Sequence, residues 1–112
     1  ERPIAEWDGR QSRDFTYVKN VVEANLRSCV TRGISGEVFN VACGQTTSIL
    51  EIIGMINRLM KTDLKPIYGP KRPGDVRKTI ADVGKIKRML KMTKMVQFED
   101  GLKATVDWFK DR

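Results

Sequence analysis

Two short stretches of this 112-residue chain combine residue types that can grip an anion. In Arg72-Pro73-Gly74-Asp75 the proline restricts the residue before it to an extended backbone, and the glycine allows close backbone approach. A guanidinium and a carboxylate on so stiff a loop can hold two parts of one ligand: the arginine a diphosphate, the aspartate a pair of hydroxyls. A local Arg72–Asp75 ion pair is the alternative. The second stretch runs from Asp8 to Phe15 (DGRQSRDF). Arg13, between a glycine turn and a strand, can present its planar fork to a phosphate or carboxylate. It can equally pair with Asp14 or Asn20 nearby. A third stretch, Phe39–Gly44 (FNVACG), places a glycine between a strand and a capped helix, the setting of a phosphate cradle. Neither GxGxxG nor GxxxxGK[ST] is present, so a plain strand-to-helix turn is the better reading.

What is missing narrows the chemistry. The chain has no histidine, which removes the commonest general base, the Ser-His-Asp and Cys-His arrangements and most zinc sites. Cys29 and Cys43 stand in no zinc or CxxC spacing and read as small buried residues in a reducing cytosol. Val21 and Arg72 lie four residues after Tyr17 and Tyr68, so no Tyr-x-x-x-Lys pair exists. The chain can bind an anion but shows no catalytic engine of its own.

Charge points the same way. The net charge is +7, and it is concentrated: Lys61–Lys94 holds eleven basic residues against Asp63, Asp75 and Asp82. An anionic partner is therefore expected. Within it, Lys85–Lys94 (KIKRMLKMTK) lacks the interleaved aromatics of a single-strand binder and reads as a solvated face. The rival from another functional class is a small basic nucleic-acid-binding module, whose affinity would fall steeply with salt and ignore the nucleoside.

The elements that must position these residues follow from pattern. Pro3–Arg13 reads as a loop or a short strand and turn around Asp8-Gly9, and Asp14–Val18 has strand composition. A helix is expected from Asn20, with Asn20 and Glu23 as a capping box and Val21, Val22, Leu26, Cys29 and Val30 on its inward stripe. Gly33 and Gly36 end it. Glu37–Ala42 (EVFNVA) reads as a buried strand. Ser48 and Glu51 form a second capping box, opening a helix to about Lys61 with Ile49, Ile52, Ile53, Ile56, Leu59 and Met60 inward. Pro66–Tyr68 and Thr79–Ala81 are short-strand candidates. Asp82 is expected to cap a helix burying Val83, Ile86 and Leu90. A last helix from Glu99 turns Leu102, Val106 and Phe109 inward, with Trp108 and Phe109 as core anchors.

Strands alternating with helices over short connections imply an α/β arrangement. The length allows one domain, with no linker and no internal repeat. No apolar run approaches the roughly 18 residues of a membrane helix. The opening Glu1-Arg2-Pro3-Ile4 is no signal peptide, and the missing Met leads us to expect a trimmed start or a piece of something longer.

Taken in order, these motifs carry a resemblance. They are Gln11–Val18 (QSRDFTYV), Val21–Leu26, Gly36–Gly44 (GEVFNVACG), Thr47-Ser48, Arg72–Arg77 (RPGDVR), Ala81-Asp82, Phe98–Leu102 and Thr105–Phe109. Together they resemble the C-terminal part of extended short-chain dehydrogenases/reductases, specifically the NAD-dependent nucleotide-sugar epimerases of the UDP-glucose 4-epimerase type. The resemblance implies an α/β C-terminal substrate-binding lobe over residues 1–112, with the Rossmann domain absent. It implies that Arg13 and Arg72 bind the substrate's phosphates from two sides and that Asp75 receives the ribose hydroxyls. NAD and the catalytic Ser/Thr and Tyr-x-x-x-Lys would belong to the absent portion, so this chain supplies no catalytic or cofactor-binding residue. The implied activity is inversion of a UDP-hexose at C4 through a keto intermediate, by a cytoplasmic homodimer without nucleic-acid or membrane partners. A nucleotide-sugar dehydratase of the same family is the alternative. Asp14 stands where UDP-glucuronate decarboxylases tend to have Ser, and the second motif lacks the His that dTDP-glucose dehydratases insert. There are two departures. Trp7 stands where the family has the first Gly of Gly-Asp-Gly; lacking glycine's backbone freedom, it implies a different loop. Asn20 stands where the family has Asp, which removes a charge that could balance Arg13.

Overall fold

The computed structural model describes residues 1–112. In chain order the elements are β1 (Ile4–Glu6), β2 (Ser12–Arg13), α1 (Val18–Val30), β3 (Thr47–Ser48), α2 (Ile49–Met60), β4 (Ile67–Gly69), α3 (Gly84–Met89) and α4 (Phe98–Lys110). The architecture is mixed α/β, as expected, but with very little sheet. β1 pairs in parallel with β4, Glu6 opposite Gly69. β2 pairs antiparallel with β3, and Ser12 also bridges Lys78 on its other side.

Local chemistry explains where the helices begin. At α2 the Ser48 hydroxyl accepts from the Glu51 N–H, and the Glu51 carboxylate accepts from the Ser48 N–H at 2.7 Å, the expected capping box. At α3 the Asp82 carboxylate accepts from the Gly84 N–H at 2.8 Å, although the cap position itself is Val83. Val83, Ile86 and Leu90 are buried as predicted. α1 differs. It starts at Val18, with Tyr17 at the cap and no side-chain cap bond. Asn20, 4% exposed, instead donates to the Val96 carbonyl and accepts from the Val96 N–H, each at 2.9 Å. A side-chain amide thus imitates a backbone partner and ties α1 to the segment entering α4.

Five expectations fail, most of them because the chain offers no neighbour. Glu37–Ala42 is not a strand, because none of the N–H groups of residues 38–42 donates to another backbone group. Asp14–Val18 is not one either. The pairing falls on Ser12–Arg13, and the Asp14 carboxylate serves other segments. Thr79–Ala81 reduces to the bridge at Lys78 and a Thr79 N–H bond to Ser12. The apolar stripe of α1 exists but faces outward, with Leu26 61% and Val30 80% exposed and Cys29 exposed too. The inward side of α1 is Asn20 and Ala24. In α4, Val106 is buried, but Phe109 is 67% exposed and Trp108 is not a core anchor. In the last turn of α4 the two rings meet edge to face, and Arg112 lies over the Trp108 ring.

The core is accordingly small. Ala24, Ala42, Val83, Ile86, Leu90 and Met92 form its one cluster, and only 12 of 112 residues are buried. The chain is a slab 19 Å thick with a radius of gyration of 16.6 Å, against about 13 Å for a compact domain of this size. No helix is long and apolar enough to cross a membrane.

Asn20→Ala leaves the Val96 N–H unpartnered and its carbonyl with only the weak Cys43 thiol donor at 3.4 Å, and is expected to cost about 1–3 kcal/mol. The midpoint of urea unfolding measures this; a change below about 0.5 kcal/mol would show that water replaces the amide.

Candidate functional site

Arg72-Pro73-Gly74-Asp75 folds as a single tight turn. The Asp75 N–H donates to the Arg72 carbonyl at 3.2 Å, and Gly74 has φ +79°. Proline at the second position and a left-handed glycine at the third are the requirements of a type II turn. The turn puts the guanidinium and the carboxylate at its two ends. It faces β1 and the Gln11–Phe15 segment across an open cavity of about 720 Å³, with Ile4, Phe15 and Ile49 as its apolar lining. Arg13, Arg72 and Asp75 all line this cavity.

Neither local ion pair forms. The Arg13 guanidinium pairs with Asp75 and also donates to the Ser12 carbonyl at 2.8 Å. It does not turn to Asp14 or Asn20, and the charge that balances it comes from the far loop. Arg72 pairs with Glu6 and is 73% exposed along its side chain. Glu6 is a site residue that sequence reasoning missed. Only the parallel register, with Glu6 opposite Gly69, brings it beside Arg72. Gln11 was missed as well. It is buried in the cavity wall, its amide N–H donates to the Glu6 carbonyl at 2.9 Å, and its Oε1 has no partner. Two guanidinium groups and two carboxylates leave the site with no net charge.

Asp14 braces this arrangement from behind. Its carboxylate accepts from the N–H groups of Cys43 at 3.1 Å, Gly44 at 2.9 Å and Ala81 at 3.4 Å. Phe39–Gly44 is therefore a turn tied to Asp14, with the Gly44 amide already engaged. Burial, and then the nearby Asp14 charge, pushes the Cys43 thiol up from its ordinary value, away from the reactive thiolate.

The Trp7–Gly9 turn departs from the sequence expectation. Trp7 takes the left-handed conformation itself, at φ +58°. Such a backbone costs an L-residue about 1–2 kcal/mol. Gly9, at φ +68°, could not be replaced: a Cβ there would lie 2.8 Å from Leu50. Asp8 accepts from Arg77 at 2.7 and 2.8 Å, and Arg77 lies over the Trp7 ring. The hydrogen bond from Arg77, and next that from the Arg10 N–H, holds the Asp8 carboxyl below the ordinary aspartate value.

The family described as the NAD dependent epimerase/dehydratase family matches residues 1–42. A UDP-glucuronate 4-epimerase of Thermodesulfobacterium geofontis is 35% identical, over 99% of this chain and 34% of its own length. The crystal structure of UDP-glucose 4-epimerase with UDP-glucose from Thermotoga maritima superposes with a TM-score of 0.91 at 37% identity, over 99% of this chain and 35% of that one. A UDP-glucuronic acid 4-epimerase from Bacillus cereus, in complex with UDP-glucuronic acid and NAD, gives 0.86 at 31% identity, over 98% and 35%. The chain thus spans about a third of the length of the relatives it matches.

A depressed carboxyl stabilises the fold above its unfolded pKa, and that stability is lost as pH falls through the folded value. The Trp7–Gly9 turn should therefore loosen only below about pH 4. Thermal melts of the wild type and Asp8→Asn should differ most near neutral pH and converge toward about pH 2. A difference constant across that range would remove the Asp8 charge from this account.

Proposed function

We propose that this chain, which matches the C-terminal part of the NAD-dependent epimerase/dehydratase family, is the sugar-nucleotide-binding lobe of an NAD-dependent epimerase that inverts C4 of a UDP-hexose. The observation that carries the reading is the convergence of Arg13, Arg72 and Asp75 on one cavity from two distant segments. Arg13 and Arg72 would grip the diphosphate from two sides, each through charge-assisted and potentially bidentate hydrogen bonds. Asp75, exchanging Arg13 for the ligand, would accept from the ribose hydroxyls. Glu6 would yield Arg72 to the phosphates. The handle is held far from the reacting carbon, so binding energy there serves to position the hexose.

This chain does not fit the cofactor. Dinucleotide pyrophosphates are commonly cradled by a glycine turn opening on a free helix N-terminus. Here α2 opens on the Ser48–Glu51 box, α4 carries Glu99 and Asp100 in its first turn, and α1, though uncapped, follows Phe15-Thr16-Tyr17 with no glycine turn. NAD would be held outside residues 1–112. In the same reading, residues 1–112 are one lobe. The outward stripe of α1 and the unpaired Glu37–Ala42 segment would face the remainder of a cytoplasmic, homodimeric enzyme.

The nucleic-acid reading loses ground in the structure. Lys65, Arg72, Arg77 and Lys85 of the basic segment are paired with Asp63, Glu6, Asp8 and Glu37. The segment is therefore not a uniform cationic face.

Calorimetric titration with UDP tests the proposal. Arg13→Ala, Arg72→Ala and Asp75→Ala should each weaken binding by about 1–3 kcal/mol. Equal losses for UDP and for random DNA on Arg72→Ala would sink it. Glu6→Gln should act in the opposite direction. Freeing Arg72 from an exposed pair worth about 0–1 kcal/mol should tighten UDP binding by up to about fivefold.

A further inference from the structure

We infer that Trp7 is the positioning residue of the Arg72–Asp75 turn: its ring braces both arms of the Lys71–Arg77 loop and thereby sets where Arg72 and Asp75 stand. The inference rests on the diphosphate reading of that turn. Its physical basis is separate.

The loop is pinned at its two ends. The Trp7 N–H donates to the carbonyls of Gly69 at 3.0 Å and Pro70 at 3.4 Å, and the Ser12 N–H donates to the Arg77 carbonyl at 2.9 Å. Between those pins the one backbone bond is that of the turn itself, Asp75 to Arg72. Beside the Arg72–Glu6, Arg13–Asp75 and Arg77–Asp8 pairs, the indole holds the arms. The Lys71 ammonium lies 4.0 Å and the Arg77 guanidinium carbon 3.7 Å from its ring centroid. Lys71 directly precedes Arg72, and Arg77 follows Asp75 by two residues. Two cations that would repel each other are gathered by one ring quadrupole. Asp8 then takes Arg77 from the side and leaves its face on the ring. Held this way, neither Lys71 nor Arg77 pairs with Glu6 or Asp75, and those carboxylates remain with the two gripping arginines.

The backbone makes the case sharper. Trp7 stands at the second position of the turn closed by the Gly9 N–H to the Glu6 carbonyl, with φ +58°. Glycine is the unstrained residue for such a position. A bulky aromatic held there, against its backbone preference, marks a site where the side chain is what matters.

The test separates the side chain from the backbone. Trp7→Gly relieves the backbone but removes the brace; Trp7→Phe keeps an aromatic face. For Trp7→Gly we expect a thermal midpoint equal to or above that of the wild type, UDP affinity lower by about five- to thirtyfold, and faster amide hydrogen exchange in residues 71–77. Trp7→Phe should restore affinity to within about threefold. A brace that was only structural would lower stability and affinity together. Unchanged affinity together with unchanged exchange in Trp7→Gly would overturn the inference, and so would a loss of affinity that merely follows a loss of stability. If wild type does not bind UDP, the diphosphate reading fails, and hydrogen exchange alone decides the brace: unchanged exchange overturns it, faster exchange upholds it.

Discussion

The carboxylate of Asp14 accepts from the backbone N–H groups of Cys43, Gly44 and Ala81, and the rest of the site stands on those three bonds. They draw together segments that no strand ladder joins. The segment just before Asp14 is held from both sides by backbone pairing, with β3 on one flank and Lys78 on the other. Arg13 is thereby fixed at the cavity edge while its neighbour secures the loops behind it. A charge-assisted acceptor with three donors is a strong and local constraint. It substitutes here for the sheet that such a short chain does not build.

The cavity is pre-paired rather than bare. Each of its two arginines holds a carboxylate, Arg13 with Asp75 and Arg72 with Glu6, so neither charge stands alone. An anion binding there must exchange partners, not simply land. A ligand that offers phosphates to the arginines and hydroxyls to the displaced carboxylates satisfies all four groups at once. An anion without donors leaves the carboxylates unrewarded. Under the proposed reading, selectivity for a nucleotide-like ligand over a plain polyanion would follow from this exchange.

Much of the apolar surface of the chain has nothing to cover it. α1 turns a row of valines and a leucine outward, and Glu37–Ala42 lies extended without a strand beside it. Twelve buried residues make a thin core for a chain of this length. The relatives it resembles are about three times as long. In the proposed reading of the chain as one lobe, further mass on that side would complete the fold. The ion-paired Glu6, Arg13, Arg72 and Asp75 line the cavity.

Features that depend on neighbours in sequence were legible without coordinates. The Ser48–Glu51 capping box, the inward Val83, Ile86 and Leu90, and the stiffness of the Arg72–Asp75 turn all follow from spacings of a few residues. Residue type and turn chemistry left Arg13, Arg72 and Asp75 open between ligand contacts and local ion pairs, the family resemblance singled them out, and they share one cavity. Features that depend on distant neighbours were not legible. Strand composition at Glu37–Ala42 gives no strand, because a ladder needs a second backbone to bond. An apolar stripe does not say whether anything covers it, as α1 and Phe109 demonstrate. The pairing of Arg72 with Glu6, and of Trp7 with Lys71 and Arg77, arises only when β1 lies beside β4. Short-range hydrogen bonds and φ preferences are written along the chain. Partnership across the fold is set by which segments meet, and residue order alone does not contain that.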